Sequence, residues 1–162
     1  MALVIGNAAY AEAPLDNPGR DARAVSQALR ELGFAVVELL DADLAGMRQA
    51  VSRSRAALDG RRGVGVLFYA GHGLQLDWRN YMVPLGARLA SADDVPSRTL
   101  GVHEVVDAWR AAGTRTSVVV LDACRDNPFG GIASGRGLAP LDAPSGTFFA
   151  YATAPGAVAS DG

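Results

Sequence analysis

The sequence predicts an α/β domain: a mostly parallel sheet with helices on both faces. Three observations carry this. Residues 64–73 (VGVLFYAGHG) and 117–124 (SVVVLDAC) begin as unbroken apolar runs, as strands buried on both faces do. Stretches with apolar residues at helical spacing lie between such runs. Strands that alternate with helices along a chain pair in parallel through crossover connections.

Each element has a local reason. Residues 2–5 read as a short buried strand, and residues 6–19 (GNAAYAEAPLDNPG) as a turn-rich loop. A helix starts at Asp21 or the preceding Gly-Arg and runs to about Leu32. Ala22, Val25, Leu29 and Leu32 share its apolar face, and Gly33 stops it. Residues 34–40 form a second strand. Asp43 stands where a helix cap belongs, ahead of a stripe of Leu44, Met47, Val51 and Leu58. Residues 74–83 (LQLDWRNYMV) suggest a small β-hairpin turning near Asp77-Trp78-Arg79-Asn80. Residues 87–101 read as loop and residues 102–112 as a helix with Trp109 on its apolar stripe. Residues 125–146, rich in Gly, Pro and Asp, form a loop long enough to be functional or disordered. Residues 147–152 are a last strand. No internal repeat or boundary divides the chain, so one domain is expected over residues 1–162.

Bulk properties exclude several classes. Of the 162 residues, 49% are hydrophobic and 20% charged, enough for one sizeable core. A net charge of −2 gives no electrostatic footprint for nucleic acid or an anionic membrane. No apolar run nears the roughly 20 residues of a membrane span. A single cysteine rules out an internal disulfide framework and suits a reducing compartment, so a cytoplasmic location is the expectation. No phosphate-cradling or dinucleotide fingerprint is present.

The chemistry lies at the ends of two strands. His72 ends one apolar run and Cys124 the other, and ligands in parallel α/β folds sit beyond the carboxyl ends of strands. A thiolate is a strong nucleophile, and a neighbouring imidazole can generate it and then protonate a leaving amine. Gly73, without a side chain, lets its backbone N–H face a developing oxyanion, and the N–H of Cys124 is the natural second donor. Either residue alone has an ordinary structural reading, the cysteine as a small buried hydrophobe and the histidine as a strand-end side chain. Together they describe acyl transfer by a cysteine hydrolase.

The segments Tyr69-Ala70-Gly71-His72-Gly73, Asp122-Ala123-Cys124-Arg125 and Tyr151-Ala152-Thr153-Ala154-Pro155-Gly156 resemble the caspase-like cysteine peptidases. The opening Ala2-Leu3-Val4-Ile5-Gly6-Asn7 and Asn17-Pro18-Gly19-Arg20-Asp21-Ala22 resemble the start of that domain. The pattern is most similar to the metacaspase-type branch, the bacterial orthocaspases. The resemblance implies a caspase-like three-layer sandwich and catalysis by His72 and Cys124. The 52-residue separation suits a family whose His lies about 50 residues upstream of its Cys. Animal caspases carry Gln two residues before the cysteine; this chain has Asp122. The resemblance implies that Asp122 lines the primary specificity pocket and that Asp161 adds a second carboxylate. Two carboxylates favour Arg or Lys and repel Asp, so cleavage after basic residues is expected. Asp122 can also be read as a strand-end carboxylate bonded to backbone, and Asp161 as a solvated loop residue.

Further expectations follow from the resemblance. Several relatives hold calcium on acidic loops; Asp93-Asp94 is the nearest candidate, but the ligands of an oxygen site do not assemble, Gly130 and Gly131 standing where a carboxylate is needed. No metal or other cofactor is therefore expected. Arg136, between Gly135 and Gly137, is the candidate for self-cleavage. Trp78, Asn80 and Tyr81 are candidates to border the substrate channel, and His103 reads as surface. Residues 1–162 correspond to the large-subunit-like part of the family's domain, with a small-subunit segment expected beyond Gly162. The alternative to an active endopeptidase is a catalytically silent module that binds a partner through the same fold.

Overall fold

The computed structural model describes residues 1–124 and 145–152. Five strands form a parallel array in the order β2-β1-β3-β6-β7. They are β1 (Ala2–Gly6), β2 (Val36–Leu40), β3 (Val64–Leu76), β6 (Thr116–Cys124) and β7 (Thr147–Tyr151). Two short strands, β4 (Arg79–Met82) and β5 (Leu100–Gly101), extend the sheet antiparallel from the far end of β3. Helix α1 (Pro18–Glu31) packs against one face; α2 (Leu44–Leu58) and α4 (Val102–Ala111) pack against the other.

The unbroken apolar runs follow from this layering. On β1 and β3, Leu3, Ile5, Leu67 and Tyr69 enter the core under α2 and α4. Their neighbours Val4, Phe68 and Ala70 enter the core under α1 with Ala22. A period-2 side-chain alternation with both faces covered leaves no polar position. A third cluster, Tyr10, Leu74, Tyr81, Val83 and Val95, lies under the hairpin.

Several boundaries differ from expectation. Helix α1 starts at Pro18, whose missing N–H costs nothing in a first turn, and ends at Glu31. Leu32, expected on its buried stripe, is the C-cap and is 74% exposed. Asp43 caps α2 as expected, its carboxylate accepting the Gly46 N–H at 2.8 Å. Strand β3 runs past Gly73 to Leu76, because the hairpin continues its ladder. The turn holds Asp77 and Trp78 at φ +49° and +61°, the geometry of a tight two-residue hairpin. Residues 87–101, expected as loop, contain a 3-10 turn (Ala92–Asp94), a short helix α3 (Val95–Arg98) and β5. A reciprocal cap between Ser91 and Asp94 starts that segment.

Trp109 is fully buried, and its Nε1–H donates to Ser54 Oγ at 2.7 Å. Its ring lies against β3 at Gly65, where a Cβ would stand 2.5 Å from Cε3. Gly65→Ala should therefore destabilise the fold by roughly 1–3 kcal/mol, the range for overpacking a core. Urea denaturation checks this, and an unchanged midpoint would disprove the packing role given to Gly65.

Candidate functional site

The carboxyl ends of β3 and β6 form one edge. Their parallel register runs from Val64 opposite Thr116 to His72 opposite Cys124. Adjacent strands lie about 4.8 Å apart, so the register brings the backbones of His72 and Cys124 together. Asp122 stands two residues earlier on β6, opposite Ala70, and is half-buried. Strand β3 also changes its other neighbour here, leaving β1 after Ala70 and taking β4 from Gly73.

His72 is 2% exposed. Its Nε2 lies 2.7 Å from the carbonyl oxygen of Ala13. A carbonyl only accepts, so Nε2 carries the proton and a neutral ring keeps its lone pair on Nδ1. Nδ1 is buried and has no hydrogen-bond partner among the described residues. Ala13 stands at φ +53°, a left-handed conformation that alanine avoids and that persists only where surroundings impose it.

The main chain of His72 is held as firmly as its ring. Tyr69 Oη donates to the His72 carbonyl at 2.6 Å, and Tyr10 Oη accepts the His72 N–H at 3.1 Å. Val83 N–H donates to the same carbonyl at 3.0 Å. Antiparallel ladders alternate bonded and non-bonded pairs, so Gly73 and Met82 form the non-bonded pair, and the Gly73 N–H is directed away from β4. Gly71 makes this packing possible. It sits at φ +152°, and a Cβ there would come within 2.7 Å of Tyr69 Oη and 2.8 Å of Tyr10 Oη.

A buried amide ties the loops around this edge. Asn7 Nδ2 donates to the carbonyls of Ala42 (3.3 Å) and Val83 (3.2 Å), and its Oδ1 accepts the Ala42 N–H at 2.9 Å. On the opposite flank the buried Asn80 donates to Tyr151 Oη at 3.5 Å, linking the hairpin to β7.

The remaining candidates divide. Trp78 is 74% exposed at the hairpin tip, while Asn80 and Tyr81 are buried. His103, expected at the surface, is half-buried, edge-on to Tyr81 at 5.9 Å. Burial, with the nearby Arg79 charge, holds its imidazole below the usual histidine pKa. Asp94 caps its own turn, accepting from the N–H groups of Ala90 (2.9 Å) and Ser91 (3.2 Å) and pairing with Arg98 at 2.9 Å. The Ala90 N–H above all, then that of Ser91 and Arg98, keep its carboxyl below the usual range. Among the described residues no group of three or more His, Cys, Asp or Glu is placed to hold a metal. No helix among them is long and apolar enough to cross a membrane. Asp161 and Arg136 lie outside the described residues, as do Gly130 and Gly131.

Sequence reasoning missed Tyr10, Ala13 and Asn7. Their loop carries no periodic pattern, and only the tertiary fold brings it to His72.

Comparison with known proteins gives concordant matches. The family described as Caspase domain matches residues 1–162. The human protein named mucosa-associated lymphoid tissue lymphoma translocation protein 1 is 37% identical over 127 residues, covering 77% of this chain and 15% of that protein. Its mouse homologue is 36% identical over the same length. The chain thus spans about 15% of the length of these relatives. The crystal structure of the Drosophila initiator caspase Dronc superposes with a TM-score of 0.61 at 10% identity, covering 95% of this chain and 54% of that one. This likeness shows the caspase-like α/β sandwich fold.

Tyr10 supplies a pH test of this architecture. Burial pushes its phenol up to about 12 from an ordinary 10. Between those values the unfolded chain loses the Tyr10 proton and the folded chain keeps it. Stability should therefore be intact below pH 10 and fall by roughly 2–3 kcal/mol as pH rises to about 12. Urea midpoints across that window, compared with Tyr10→Phe, measure it. Equal slopes in both proteins would contradict the burial of this hydroxyl.

Proposed function

Since the chain belongs to the caspase-domain family of cysteine peptidases, we propose that it is an endopeptidase cleaving after Arg or Lys through a Cys124–His72 dyad. The observation that carries this reading is the register of His72 opposite Cys124, with Nε2 taken by Ala13 and Nδ1 left as the base. His72 Nδ1 takes the Cys124 thiol proton, and the thiolate attacks the substrate carbonyl carbon. The oxyanion accepts hydrogen bonds from the N–H groups of Gly73 and Cys124. Nδ1–H then protonates the leaving amine as the C–N bond breaks, leaving a thioester on Cys124. Water, deprotonated by Nδ1, attacks the thioester, releases the carboxylate product and restores the thiol.

The basic preference rests on Asp122, on the strand of the nucleophile and half-buried, where a guanidinium or ammonium gains a charge-assisted bond. Asp161 would add a second carboxylate. This preference also favours the metacaspase-type branch over the animal caspases. The reading needs no metal. It includes a small-subunit-like segment completing the sheet along β7, which among the described residues pairs only with β6 and holds Phe148 at 65% exposure.

A fluorogenic peptide panel tests the proposal. Hydrolysis is expected after Arg or Lys, unaffected by EGTA, and absent after Asp. Cys124→Ala and His72→Ala should abolish it. Asp122→Asn should lower kcat/KM for the Arg peptide roughly 10- to 100-fold, as loss of a hydrogen bond to a charge does. Comparable turnover of the Asp peptide would sink the specificity assignment. A folded protein whose Cys124 resists peptide electrophiles would favour a silent binding module.

A further inference from the structure

The ladder between β3 and β4 has an irregular rung. His72 and Val83 should exchange two direct backbone bonds. One is direct, from Val83 N–H to the His72 carbonyl at 3.0 Å. The other passes through a side chain: the His72 N–H donates to Tyr10 Oη at 3.1 Å, and Tyr10 Oη donates to the Val83 carbonyl at 2.9 Å. The same tyrosine lies against the imidazole, ring centroids 4.4 Å apart at 50°. Tyr10 itself is tethered. The exposed Asp41 carboxylate accepts the N–H groups of Ala8 and Ala9 at 2.8 and 2.9 Å, and the Leu15 N–H closes the loop on the Ala8 carbonyl.

Resting on the dyad reading above, we propose that Tyr10 is a positioning residue for the reaction at His72. Its hydroxyl fixes the main chain by standing in for a ladder bond. Its ring fills the space into which the imidazole would swing on leaving the Ala13 carbonyl. The tautomer that frees Nδ1 for Cys124 is therefore maintained by a residue outside the dyad.

Imidazole nitrogen NMR and steady-state kinetics test this together. The chain has two histidines, and His72→Ala identifies the resonances of His72. In the wild type, His72 should show a single state protonated on Nε2. Tyr10→Leu should give a tautomer-averaged imidazole and a kcat lower by roughly 100-fold, the scale of a small misplacement, with KM within twofold. Tyr10→Phe keeps the ring; it should retain the tautomer and lose about tenfold in kcat. A folded Tyr10→Leu with a fixed Nε2–H imidazole, or with unchanged kcat, overturns the proposal. If neither variant folds, Asp41→Ala decides: it loosens the tether from the surface, and an unaltered His72 spectrum there overturns the proposal equally. Wild-type turnover in His72→Ala would overturn the dyad reading itself, and the spectrum separates that outcome from a failure of Tyr10 alone.

Discussion

Three side chains converge on one carbonyl oxygen, that of Val83: Asn7 at 3.2 Å, Tyr10 at 2.9 Å and Tyr69 at 3.2 Å. Everything near the strand ends depends on this node. Each hydroxyl has one proton, so Tyr69 uses its own on the closer His72 carbonyl and shares the Val83 N–H with that carbonyl. A buried network of this kind specifies one arrangement, because every unmade bond costs about 1–3 kcal/mol. It joins segments far apart in the chain, around residues 7–10, 42, 69–72 and 83. The imidazole is consequently part of a rigid corner rather than a side chain on a loop.

This corner explains why glycine and tyrosine surround His72. The strand must shed β1 and acquire β4 within three residues. Gly71 accommodates the turn of the backbone, and the hydroxyls of Tyr10 and Tyr69 occupy the gap where ladder bonds are interrupted. Polar groups freed by irregular backbone are thus satisfied by side-chain hydroxyls. The bond that ends at Ala13 extends the same logic to the side chain, leaving one ring nitrogen available for chemistry.

Much of the fold was legible because burial on both faces writes itself as apolar runs. Strands β1, β3 and β6 and the stripes of α2 and α4 are visible in this way, and His72 and Cys124 stand out at the ends of two apolar runs. What escaped was set by partners distant in sequence. Residues 92–101 form short elements through a local cap and pairing with β4, below the length at which periodicity speaks. Leu32 looked apolar and in phase, yet the helix ended one residue before it. The roles of Asn7, Tyr10 and Ala13 have no local signature, since a turn-rich loop discloses neither where it folds nor which carbonyl it offers.

The contact between Gly65 and Trp109 lies at the opposite end of β3 from His72. Side chains alternate along a strand, so a slip of one residue would send every one of them to the other face, and a slip of two would bring Leu67 or Gly63 under the indole. In the observed alignment Gly65 gives the indole a bare backbone to rest on. The pair works as an indexing pin: it counts the strand from its amino end, and seven residues later that count decides which side chain arrives opposite Cys124.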